Sequence, residues 1–269
     1  MNEHDPSTAG GRRVKAVQTT CRVLTALRDL NGAGITELSD HLGLAKATVH
    51  SHLATLAANE FVVRNGESYD VSLRFVDFGE YAKSRVDIYD ITKAEVERLA
   101  DETGEVAQFM IEEHGRGVYL HKQRGSNAIQ TASYTGNRKA LHCTALGKAI
   151  LSQLPRERID RIIDERGLGK RTENTVTSRE ELYRELDRIR EQGVAFDDEE
   201  ILSGLRCVAA PVRHPTGDVP GAISVSGPAV EILIIQLTMS SLSDAGFSRE
   251  IRGASVAIVL SRPSCCTRV

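Results

Sequence analysis

The outward side chains of residues 45–59 are of the kind that reads base edges. Val49, Leu53 and Leu56 stand at i, i+4 and i+7, one apolar stripe. A helix docked by that stripe turns Ala47, Thr48, Ser51 and Thr55 to the opposite side, with His50 on its flank. No carboxylate interrupts this face before Glu60. Short hydrogen-bonding side chains on an exposed helix suit the DNA major groove. Lys46 at the helix start and Arg64 beyond its end are cations placed to meet phosphates. Other reactive groups fit catalysis poorly. His142-Cys143 with Asp197 can be drawn as a nucleophilic set, but adjacent residues on a strand point apart and do not meet. No catalytic residue, and so no enzyme, is expected. His142, Cys143 and Cys207 define the alternative, a metal- or thiol-sensing regulator, although zinc spacings such as Cys-x₂-Cys are absent. Neither a metal nor a cofactor is expected.

Holding that face outward requires a helix-turn-helix. Thr36 is placed to cap a first short helix carrying Leu38 and Leu42 four apart, and Gly43 can end it in the left-handed conformation. Val17, Cys21, Leu24, Leu27 and Leu30 mark a preceding amphipathic helix, stopped by Asn31-Gly32. Beyond Phe61-Val62-Val63-Arg64, Asn65-Gly66 signals a hairpin, with a returning strand at 69–73. The sequence therefore predicts a winged helix over 14–74, after a disordered arm at 1–13. Phe75, Phe78, Tyr81 and Ala82 then recur at helical spacing, so 75–93 reads as a linker helix apolar enough to pair with a copy of itself.

From 94 onward a short helix gives way to strands. Residues 106–111 and 117–121 flank the hairpin Glu113-His114-Gly115-Arg116, and 128–133 reads as a further strand. Helices follow at 145–154 and 155–166. Ser178-Arg179-Glu180-Glu181 is a capping box opening a third, closed by Gly193. Strands at 194–196, 207–212 and 222–226 complete an α+β domain over 94–269, with an antiparallel sheet cupping a pocket.

Composition narrows the setting. The chain has 269 residues, 41% hydrophobic, with net charge −3. Residues 1–80 carry 8 basic against 10 acidic side chains, so affinity for DNA must come from placement and dimerisation rather than bulk charge. No apolar run is long enough to span a membrane and no signal peptide is visible. Five cysteines without a spaced framework fit reduced thiols in the cytoplasm.

Five stretches in order resemble the IclR (isocitrate-lyase-regulator) family of transcription factors: 35–56, 61–79, LHCTALGKAIL at 141–151, GVAFDDEEILSGLRCVAAPV at 193–212 and AISVSGP at 222–228. Residues 247–260 are similar to that family's closing helix. The resemblance implies a winged helix-turn-helix, a dimerising linker helix and a GAF/PAS-like effector domain. It implies control of catabolic genes through a near-palindromic double-stranded operator. The assembly it implies is a homodimer, with a tetramer as the further alternative. It also carries Ala145, Leu146, Gly147, Asp197, Cys207, Ser224 and Ser226 onto an effector pocket.

The residue chemistry agrees. A helix starting near Ala145, capped by Thr144, offers free N–H groups to a carboxylate. Ser224 and Ser226 share a strand face. Asp197 can accept from a ligand hydroxyl. Cys207 makes a small, nearly apolar wall. A small anionic metabolite bearing a hydroxyl fits best. The sequence departs from the family at Ala45, where Ser is common, at Ser51, where Arg is common, and over 229–246; residues 261–269 are unplaced.

Overall fold

In the computed structural model, residues 13–128, 132–213 and 219–227 are described, with the backbone of 235–236 and 259–260. The chain divides into two compact units, residues 1–86 and 87–269.

In the first unit, α1 (Lys15–Asp29), α2 (Ile35–Leu42) and α3 (Lys46–Ala58) close on Val23, Ala26, Leu27, Leu38, Val49, Leu53 and Leu56. The inward face of α1 differs from the expected one, because Val17 and Cys21 are exposed. Two apolar stripes compete on α1, and a hydrogen bond between Thr20 Oγ1 and His52 Nδ1 of α3 (2.8 Å) fixes the rotation that buries Val23 and Leu27. Thr36 does not cap α2. Gly34 occupies that position, because β1 (Ala33–Gly34) pairs with β3 (Ser68–Val71) and starts the helix two residues earlier. Gly43 ends α2 at φ 64°, and the turn is locked by the Ser39 hydroxyl donating to the Leu44 carbonyl (2.6 Å). The wing is β2 (Val62–Asn65) with β3; its two loop residues are Gly66 and Glu67, one position later than the Asn65-Gly66 signal. Gly66 is the one with positive φ, at 64°, as the first position of a tight mirror-image turn demands.

The expected single helix over 75–93 is two. α4 (Arg74–Ser84) is held to the winged helix by Phe61, whose ring lies 5.5 Å from Phe75 and 5.7 Å from Phe78. α5 (Tyr89–Thr103) restarts after a break at 85–88. Ile88 is buried there, while Phe75, Val76, Phe78 and Tyr81 are exposed. An unbroken helix would have to serve two different surroundings with one apolar stripe.

The second unit is α+β, as expected. Its sheet runs β6 (Arg138–Lys139), β5 (Arg116–Arg124), β4 (Val106–Glu113), β9 (Gly221–Gly227), β8 (Arg206–Val212), β7 (Ala195–Asp198), with every pairing antiparallel. The β4–β5 turn is His114-Gly115, both at positive φ. α5 packs on β4, β5 and β9 through Val96, Leu99 and Ala100. Against the sheet also lies α6 (Ala145–Gln153), which packs on α8 (Arg179–Gln192); α7 (Arg156–Arg166) joins the same core. Ala195, Ala209 and Ala222 are small enough to let α6 lie close. Ser178 caps α8 by accepting from Glu181 N–H, as the capping box predicts. Ala128, Ala132 and Ser133 are not strand; 129–131 lie outside the described residues, and β6 takes the edge beside β5. Residues 229–234 and 237–258, and so most of the expected closing helix, also lie outside them, as do 1–12 and 261–269. Val259–Leu260 is strand, paired with Ile235–Gln236, rather than a helix end.

Candidate functional site

The first unit presents its chemistry on the outside. Lys46, Ala47, Thr48, His50 and Ser51 are all exposed on α3, opposite the buried Val49, Leu53 and Leu56. Ala45 supplies no side-chain cap, so the Lys46 and Ala47 N–H groups are open to an acceptor from outside, beside the Lys46 ammonium, while the Thr48 N–H donates to the Ala45 carbonyl (2.9 Å). The hydroxyls are less free than their types suggest. Ser51 donates to the Ala47 carbonyl and Thr55 to the Ser51 carbonyl, each at 2.9 Å, leaving acceptor lone pairs outward. Arg64 is pinned on the wing by Nε donating to the Gly66 carbonyl (2.8 Å), with its guanidinium 5.8 Å from the Tyr69 ring.

The second unit encloses its chemistry. Strand register sets Asp197 opposite Cys207 and Cys207 opposite Ser226; Ala209 faces Ser224 in the next row, and Ser224 faces Gln108. These rows form one wall of a cavity of about 340 Å³, closed on another side by Thr144, Ala145 and Leu146 at the start of α6. Thr144 Oγ1 accepts from the Gly147 N–H (3.0 Å), which leaves Ala145 and Leu146 as the first-turn donors without an intrahelical acceptor. Gly147 itself does not line the cavity. A Cβ there would sit 2.1 Å from the Leu141 carbonyl oxygen, so this position is glycine to let α6 approach 141.

Asp197 is almost fully buried. Its Oδ1 accepts from the Glu200 N–H (2.7 Å), while Oδ2 and the Ser224 hydroxyl have no hydrogen-bond partner among the described residues. Burial pushes the Asp197 carboxyl up to about 6, against the pull of the Glu200 N–H and Lys148. Lys148, 0% exposed on α6, donates to Glu185 and Glu200. Burial raises Glu200 to about 7 despite that ammonium. One cation thus pairs with two carboxylates behind the cavity, and its charge also reaches Asp197 in the wall.

The two thiols near the cavity are not poised as nucleophiles. Burial pushes Cys143 up to about 11 and Cys207 up to about 12, so both are protonated at neutral pH. His142 Nε2 meets the Gly169 carbonyl while Cys143 turns to Ala140, so the two side chains do not meet. Among the described residues no group of three or more His, Cys, Asp or Glu is arranged to hold a metal.

Residues 16–66 match the IclR helix-turn-helix domain, and 81–237 match the bacterial transcriptional regulator IclR C-terminal domain. The chain belongs to the IclR family. It is 32% identical over 235 residues to the probable HTH-type transcriptional regulator ArcR of Halobacterium salinarum, covering 85% of this chain and 89% of that protein. It is 34% identical over 222 residues to KdgR of Escherichia coli, 81% of this chain and 83% of KdgR. The solved IclR transcriptional regulator of Alicyclobacillus acidocaldarius matches with a TM-score of 0.68 at 26% identity, over 80% of this chain and 88% of that one. These are regulators, and this IclR-family chain is a DNA-binding transcriptional regulator, not an enzyme. No helix among its described residues is long and apolar enough to cross a membrane.

The cavity of this IclR-family chain also takes in residues that sequence reasoning missed: Gln108, Tyr119, Arg116, Arg138, Lys139 and Arg171. Gln108 carried a signal, being polar inside the apolar run of β4. The cations carried none, since β5, β6 and a loop bring them together from distant positions.

Proposed function

We propose that this regulator controls catabolic genes in response to a small anionic metabolite held between the start of α6 and the strand of Ser224 and Ser226. The observation that carries this is a ligand-sized cavity whose buried Ser224 hydroxyl and Asp197 Oδ2 lack partners among the described residues, since buried polar groups are ordinarily satisfied. Ala145, Leu146, Asp197, Cys207, Ser224 and Ser226 would contact the ligand; Gly147 supports them by packing. A carboxylate suits the α6 start, and Asp197 beside it favours a ligand that also donates a hydrogen bond.

On DNA, Lys46 and Arg64 meet phosphates while Ala47, Thr48, His50 and Ser51 face bases of a near-palindromic operator. The exposed Phe75, Val76, Phe78 and Tyr81 of α4 supply a surface for a homodimer; a tetramer would need a further surface. The test is an operator-binding titration with an effector found by thermal shift. Ser224→Ala with Ser226→Ala should move the effector midpoint upward, by about 1–3 kcal/mol per unpaired ligand group, and leave effector-free operator affinity unchanged. An unmoved midpoint would put the pocket elsewhere.

A further inference from the structure

Around the cavity the charges do not balance. Arg116 follows the β4–β5 turn and Arg171 stands on the loop before α8; both are exposed and both line the cavity. Neither side chain meets a carboxylate among the described residues. Arg138 has Glu113, and Arg166 has only the His114 carbonyl. Burial, then the neighbouring Arg166, Arg138 and Arg171, hold the Arg116 pKa below its ordinary value. Gathering cations without a counter-charge is unfavourable, and nothing in the local backbone requires it. Both positions are firmly held. The Arg166 guanidinium grips the His114 carbonyl two residues before Arg116. Arg171 N–H and Thr172 N–H both donate to Thr175 Oγ1, and that hydroxyl donates in turn to the Glu200 carbonyl (2.7 Å).

We propose that Arg116 and Arg171 form a clamp at the cavity mouth for the acidic group of the effector, a carboxylate or phosphate, with a hydroxyl-bearing end directed inward to Asp197 and Ser224. This rests on the cavity being the effector site and sharpens it, because it moves the anion from the α6 start to the mouth. It also relieves a conflict: an inward anion would lie against the buried Asp197, whereas an inward hydroxyl can donate to its unpaired Oδ2. Planar guanidinium forks suit both acid types.

The test uses thermal shift and calorimetry on the full chain with lactate, malate, gluconate and mandelate, each beside its neutral amide, plus glucose 6-phosphate and inorganic phosphate. At least one acid should stabilise the wild type while its amide does not. Arg116→Gln with Arg171→Gln should bind that acid about tenfold more weakly or worse and lose the preference over the amide. Should the double variant fold poorly, Arg116→Lys and Arg171→Lys decide: each keeps the charge and loses the fork, so weaker binding is expected, and binding equal to wild type overturns the clamp. Stabilisation by glucose 6-phosphate lost in the same variants supports the clamp and assigns it to phosphate. A double glutamine variant that keeps the acid preference, while Ser224→Ala with Ser226→Ala weakens binding, overturns the clamp and leaves the cavity reading standing. If neither pair of substitutions changes binding, or no acid binds, both fall.

Discussion

The two units recognise their partners in opposite ways. The DNA-reading unit has an uninterrupted apolar core of Val23, Leu27, Leu38, Val49, Leu53 and Leu56, with its functional side chains outside it. In the cavity unit the functional groups belong to the interior: Lys148, Asp197, Glu200, Ser224 and Ser226 are all buried. A partner as large as DNA can be met by a surface, so recognition there makes little demand on the fold. Enclosing a small partner means placing polar atoms where the core should be, and each then needs compensation from the protein or the ligand.

The sharpest way to break this comparison is one substitution at two lysines. Lys148→Met leaves Glu185 and Glu200 facing each other behind the cavity without their shared ammonium, a loss of about 3–5 kcal/mol. Lys46→Met removes an exposed charge and should change stability by less than about 0.5 kcal/mol. Urea unfolding of the two variants measures both, and equal effects would erase the distinction.

Next in size is a pH effect confined to the cavity unit. Asp197 sits at about 6 in the fold against an ordinary 3.8. The folded state therefore holds this proton more tightly than the unfolded one, and stability falls as pH rises through that window. Asp197→Asn should remove the Asp197 share of the fall. The variant should match wild type near pH 4 and exceed it above pH 6 by on the order of 1–3 kcal/mol. A wild-type advantage above pH 6 would mean that the ionised carboxylate is stabilised rather than strained. Glu200, raised to about 7 by burial, keeps its own similar slope in the variant.

The smallest effect is the surface one. Lys46→Met should weaken operator and random DNA alike and lower the salt slope by about 1. A change of base preference instead would place Lys46 on a base edge.

How much could be read beforehand follows the same division. The recognition stripe, the Gly43 stop, the Thr144 and Ser178 caps and the Glu113–Arg116 hairpin are written locally, in periodicity and turn chemistry. Asp197, Cys207, Ser224 and Ser226 came together as one set only through the family resemblance, and strand register shows them as neighbouring rows across β7, β8 and β9. What stayed illegible depends on tertiary contact. The rotation of α1 is decided by a bond to His52, the break at 85–88 by the burial of Ile88, and the two-residue β1 by pairing with the wing. Lys148 is one charged residue in a largely apolar helix, and nothing local says that Glu185 and Glu200 converge on it. Arg116 and Arg171 stand 55 residues apart in the sequence, with α6 and α7 between them, so no spacing rule joins them.

The bare start of α3 has one last consequence. With Ala45 in place of a capping side chain, the opening turn of α3 leaves the Lys46 and Ala47 N–H groups without an intrahelical acceptor, a place that suits a phosphate. A phosphate bound there would complete the turn, so tightening of the first turn and binding should be a single event, visible as amide protection gained at Lys46 and Ala47 on operator DNA while Thr48, already donating to the Ala45 carbonyl, changes less.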